Sequence, residues 1–80
     1  MGRFNGDLLG RVESFCDRVL DLVAELEQAG VSRRVLDQIT GCGTAVGANL
    51  FEAHEALSRK DFIKCLAIAS KELSECRFWI

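Results

Sequence analysis

The run SRRVLDQITGCGTAVGANLFEAHEAL, residues 32–57, decides the fold. Val35, Ile39, Cys42, Val46, Leu50, Ala53 and Leu57 recur in it at spacings of three and four, the repeat of a single helix face. Ser32 stands one residue ahead, where a hydroxyl can accept from a free backbone N–H, so the spacing predicts a helix over 33–57. Three glycines, Gly41, Gly43 and Gly47, lie inside it. Each costs about 1 kcal/mol relative to alanine in a helix interior, which marks a place where another backbone comes close. Gly43 and Gly47, with Thr40, Thr44 and Ala48, read as a small-residue strip on which a neighbouring helix lies. The glycines do not form a phosphate loop: Val46 occupies the third glycine position of a G-x-G-x-x-G fingerprint, and no Gly-Lys-Ser/Thr follows.

On the N-terminal side, Leu8, Phe15, Val19, Leu22 and Leu26 form one seam, widened by Leu9, Val12, Cys16, Leu20 and Val23. This predicts a helix over 7–29, capped by Asn5 or Asp7 and ended at Gly30. On the C-terminal side, Ser58 with Asp61 three residues on makes a capping-box variant, and Phe62, Leu66, Ala69, Leu73, Cys76 and Ile80 predict a helix over 59–80. Short connections between three helices give an all-α, up-down antiparallel bundle, one domain over 1–80. The commonest closed form of such a bundle has four helices, so a fourth, C-terminal to these, is the expected missing element. The third helix has no stop signal, and Phe78, Trp79 and Ile80 leave an apolar end that calls for a covering partner.

Composition narrows the function classes. The 80 residues are 49% apolar and 28% charged, with no proline or tyrosine and a net charge of −2, which excludes a disordered tail and a globally basic nucleic-acid binder. The N-terminal segment has no leader pattern and no apolar run reaches a membrane-spanning length, so a cytoplasmic setting without membrane contact is expected. Cys16, Cys42, Cys65 and Cys76 are singly spaced and lie in or beside apolar stripes, as reduced packing thiols do. His54, flanked by Glu52 and Glu55, lacks the Glu-x-x-His spacing and the second copy that a bundle metal site needs. No metal, no cofactor and no catalytic residue is expected, and no enzyme.

Three blocks carry a resemblance. Gly43-Thr44-Ala45-Val46-Gly47-Ala48-Asn49-Leu50-Phe51-Glu52-Ala53, then Ala56 to Lys64, then Ile68 to Ile80, resemble the bacterial four-helix-bundle proteins of the 23S rRNA intervening-sequence family. The resemblance implies an up-down bundle that assembles into a ring, often a pentamer. It also looks towards accessory proteins of diversity-generating retroelements, which bind a reverse transcriptase and nucleic acid through a basic surface. The chain departs from that pattern in having three helical segments and a slightly acidic balance.

The remaining polar features point to assembly. Asn49 and Glu52 lie at i and i+3 beside the apolar stripe, within the most recognisable block, and an amide there is expected to fix helix register across an interface. Glu13, Asp17, Asp21 and Glu25 repeat at i+4, a row that Lys64, Lys71 or Arg77 could neutralise or that simply faces water. The basic pairs Arg33-Arg34 and Arg59-Lys60 begin the second and third helices, at opposite ends of the bundle, where they could contact nucleic acid around the rim of a ring. The expected function is a non-enzymatic, homo-oligomeric scaffold or accessory binding protein, in which Gly43, Gly47, Asn49, Glu52, Phe78, Trp79 and Ile80 serve packing and assembly. The alternative is direct binding of nucleic acid, as an accessory to a reverse transcriptase or to rRNA.

Overall fold

A computed structural model describes residues 2–80; Met1 lies outside them. Three helices follow in chain order: α1 Gly6–Gln28, α2 Arg33–His54 and α3 Arg59–Trp79. Each start is capped by the side chain its position calls for. Asn5 Oδ1 accepts from the Leu8 N–H at 2.8 Å, Ser32 Oγ from Val35 at 3.4 Å and Ser58 Oγ from Asp61 at 3.1 Å. α1 ends in a Schellman turn: the Val31 N–H reaches the Leu26 carbonyl and the Gly30 N–H reaches Glu27, both at 3.1 Å. Gly30 adopts φ 86°, the left-handed conformation that turn requires.

α2 stops three residues short of the span its apolar repeat predicts. Its end is set from outside the repeat: Ser58 must be extended to cap α3, and the Arg3 N–H takes the His54 carbonyl at 3.2 Å. Leu57, read as the last residue of the stripe, is instead 94% exposed in the connection.

α2 is the central element. Leu36, Ile39, Cys42, Gly43, Val46, Gly47 and Ala53 are all buried on it, against Val12 and Val19 from α1 and Cys65, Ala69 and Cys76 from α3. α1 and α3 each pack on α2, but nowhere do their Cα atoms approach within 8 Å of each other. The Cα extents are 44 × 21 × 14 Å. Three helices on the corners of a triangle would be about equally wide and thick, given a Cα radius of about 2.3 Å and spacings of about 8–10 Å. Three corners of a square give about 19 by 12 Å, close to the observed section. α1 and α3 therefore stand across a diagonal, with a channel between them floored by α2.

Two sequence readings shift accordingly. The glycine strip is Gly43 and Gly47 alone; Thr44 and Ala48 are exposed, and an added Cβ at Gly41 would meet open space. On α3 the face turned to α2 is the small-residue row Cys65, Ala69 and Cys76, while Leu73 and Ile80 stay outside at 41% and 64% exposure.

Candidate functional site

The channel between α1 and α3 is open and lined almost entirely by apolar side chains. Val12 and Phe15 line it from α1, Val46 and Leu50 from α2, and Leu73, Cys76 and Ile80 from α3, with Arg11 and Arg77 at its edges. It exists because α3 packs on α2 through small side chains, which leaves the large ones of its stripe directed elsewhere. Phe78 lies beyond its end at 78% exposure and meets Trp79 edge to face, ring centroids 5.1 Å apart.

Gly43 and Gly47 occupy the opposite situation, fully covered. A Cβ on Gly43 would stand 2.5 Å from Val19 Cγ1, and one on Gly47 would stand 2.5 Å from Cys16 Sγ. The register is antiparallel, Val19 over Gly43 and Val12 with Cys16 over Gly47. Asn49 Nδ2 donates to the Ala45 carbonyl of its own helix at 2.9 Å, so within one chain it bridges no interface. Glu52 is exposed, and its Oε2 receives the Cys65 thiol at 3.7 Å.

The two basic ends differ. Arg33 is engaged: it donates to Glu27 across the α1–α2 turn and faces Asp37 at 3.8 Å, so its place in the first turn has a structural explanation that sequence reading missed. Arg34 is exposed beside it. At the other end Arg59 and Lys60 are exposed, and a third cation joins them that no spacing announced. Arg3 lies over the Phe62 ring at 4.7 Å to the centroid, held by the N-terminal segment. The acidic row Glu13, Asp17, Asp21 and Glu25 is exposed, and no ion pair to Lys64, Lys71 or Arg77 forms among the described residues.

All four cysteines are free thiols, three buried and Cys16 half-buried. Burial pushes the Cys42 thiol up to about 11 from its ordinary 9.0, the neighbouring Cys76 adding to the shift. Burial also raises Cys16, and burial followed by the Glu52 carboxylate raises Cys65. These thiols are held as neutral packing groups, the opposite of an activated nucleophile. A folded-state value above the unfolded one means that the native chain holds this proton more tightly, so its contribution is intact below pH 9 and is lost as pH rises towards 11. The urea midpoint should fall over that window, and Cys42→Ala should flatten the fall; a midpoint equally steep in the variant would assign the alkaline loss to other groups. No group of three or more His, Cys, Asp or Glu among the described residues is placed to hold a metal ion. No helix of the described residues is long and apolar enough to cross a membrane.

This three-cornered arrangement matches a known one. A protein of unknown function from the S23 ribosomal protein family of Bacteroides thetaiotaomicron VPI-5482 superposes with a TM-score of 0.83 at 37% identity, over 89% of this chain and 66% of that one. Residues 7–80 match the family described as 23S rRNA-intervening sequence protein. The chain belongs to that family. It spans just under two thirds of the Bacteroides protein's length. No curated protein matches it. The match from residue 7 onward takes in α1, which lies outside the three blocks of sequence that carry the resemblance.

Proposed function

We propose that this 23S rRNA-intervening sequence protein is a non-enzymatic, cytoplasmic scaffold or accessory binding protein that acts as a homo-oligomer, built on a four-helix bundle whose fourth corner is the channel between α1 and α3. The channel carries the reading. Leu73, Ile80, Phe15 and Leu50 border one continuous apolar trough, in a chain too small to leave such a surface to water without loss. A third of the Bacteroides protein lies outside the match, enough length for a further helix in that relative. Phe78, Trp79 and Ile80 extend the apolar surface at one end, where copies would meet in a ring, five being the count the family resemblance implies. Light scattering of the 80-residue chain at micromolar concentration tests the proposal: a defined oligomer is the expected result, and a well-folded, monodisperse monomer sinks it.

A second reading is favoured by Arg3, held over Phe62 near the start of α3, the helix that Arg59 and Lys60 begin. Repeated around a ring, these cations would contact phosphates of RNA without reading bases, as an accessory to rRNA or, as in diversity-generating retroelements, to a reverse transcriptase. Binding should then weaken steeply with salt, and changing Arg3, Arg59 and Lys60 to Ala should remove most of it while helicity and oligomer size stay unchanged. Arg34→Ala, at the opposite end, should matter less. Equal retention of RNA by the triple variant would eliminate this reading and leave the scaffold.

A further inference from the structure

The segment Gly2–Asn5 crosses the C-terminal end of α2 and closes on a single side chain. Phe4 donates its backbone N–H to His54 Nδ1 at 3.0 Å, and Arg3 donates its own to the His54 carbonyl at 3.2 Å. The Phe4 ring stacks on the imidazole, centroids 5.9 Å apart at 22°, and leans on Phe62 of α3 at 5.8 Å. Gly2 passes so close that a Cβ there would collide with His54 Cε1 and Nε2. The His54 side chain is 16% exposed under this cover. The strap thus covers the imidazole of α2 and leans on Phe62 of α3, and the side-chain contact that orients it is a hydrogen bond accepted by Nδ1.

An imidazole accepts at Nδ1 only when that nitrogen carries no proton. The neutral ring then holds its single hydrogen on Nε2, directed towards Glu55 Oε2 at 3.6 Å. A second proton has to go to Nδ1, where it would face the Phe4 N–H, donor against donor. We propose that His54 is a proton-sensitive latch, closed over α2 and α3 by Gly2–Asn5 when the ring is neutral and released when Nδ1 is protonated. The charged groups around it are few. They are Glu55, next to it in the chain, and Arg3 on the strap, while Arg59, Lys60 and Asp61 at the start of α3 are exposed. Glu55 lies on the Nε2 side of the ring, so it does not restore the acceptor lost at Nδ1. Acid therefore opens the strap and frees Arg3 from Phe62. The latch stands whether or not the chain binds RNA.

Amide hydrogen exchange on the 80-residue chain reads it directly. Between about pH 8 and about pH 5, the range in which histidines titrate, protection of the Phe4 amide, corrected for intrinsic exchange, should fall about tenfold. The Ile39 amide, deep in α2, should keep its protection. His54→Gln should remove the pH step, since an amide side chain does not titrate there. Gly2→Ala, which leaves the ring in place and crowds the strap, should lower Phe4 protection already at the upper pH. Phe4 protection that is the same at both pH values, a step that survives His54→Gln, or full protection in Gly2→Ala would each overturn the latch.

Discussion

Gly43→Ala should destabilise the chain by about 1–3 kcal/mol, although helix propensity alone would favour it by about 1 kcal/mol. The new methyl would sit 2.5 Å from Val19 Cγ1 and 3.2 Å from the other two branch atoms of that valine. A β-branched side chain in a helix has one strongly preferred rotamer, so Val19 cannot swing aside and α1 itself must move. Gly47→Ala meets a different neighbour. The close atom there is the Cys16 sulfur, the end of a side chain with one free torsion, and Val12 is at an ordinary 3.6 Å. Its effect should lie within about 0.5 kcal/mol of zero, propensity offsetting the displaced thiol. Gly47→Leu has no such escape and should cost at least as much as Gly43→Ala, because its longer side chain projects into the α1 contact. Gly41→Ala, in open space, should stabilise by about 0.5–1 kcal/mol. Urea midpoints of the four variants test the ranking, and Val19→Ala combined with Gly43→Ala should recover part of the loss by vacating the contested volume. A Gly43→Ala chain more stable than its parent would mean that α1 and α2 are not in contact through this strip.

What the sequence disclosed and what it withheld divide by distance along the chain. Asn5, Ser32, Ser58 and Gly30 act within three or four residues of themselves, and each cap was readable because its partner is a neighbouring backbone group. The close-packed pair Gly43 and Gly47 was readable too, since glycine in a helix interior needs a reason. The end of α2 was not. Beside the Ser58 cap it involves the Arg3 N–H, distant in the chain, meeting the His54 carbonyl, and the apolar repeat runs straight through it to Leu57. Of the two carboxylates that hold Arg33, Asp37 stands at a helical spacing of four, whereas Glu27 lies across a turn, outside any helical spacing. The placing of Arg3 over Phe62, in the helix that Arg59 and Lys60 begin, and the contacts of Phe4 with His54 and Phe62, arise from three segments that share no period. The channel was half legible: the apolar stripe of α3 was evident, but its rotation, with Cys65, Ala69 and Cys76 inward and Leu73 outward, follows from how closely α2 and α3 approach.

In the homo-oligomer proposed above, Leu73→Glu should abolish self-association while leaving the three helices folded. Leu73 borders the channel along both of its stretches, against Phe15 at each, and is already 41% exposed in the single chain. A carboxylate there can reach water from a lone protomer, so thermal unfolding of the monomer should change by less than about 1 kcal/mol. Once the channel is covered the same carboxylate is enclosed among Phe15, Leu50 and Ile80, with Arg77 and Arg11 only at the margins. Burying a charge without a designed partner, and removing a central apolar anchor, together raise the dissociation constant at least about a hundredfold, the effect of losing roughly 3 kcal/mol. Ile63→Glu is the control: it introduces the same charge on the same helix at a residue that is also exposed, at 52%, but lies outside the channel. Sedimentation of parent and variants at one concentration distinguishes the outcomes. Dispersal by Leu73→Glu and not by Ile63→Glu places the contact in the channel. Dispersal by both would locate it on the outer face of α3, and dispersal by neither would assign assembly to the Phe78-Trp79-Ile80 end, leaving the fourth corner of the bundle without a role in it.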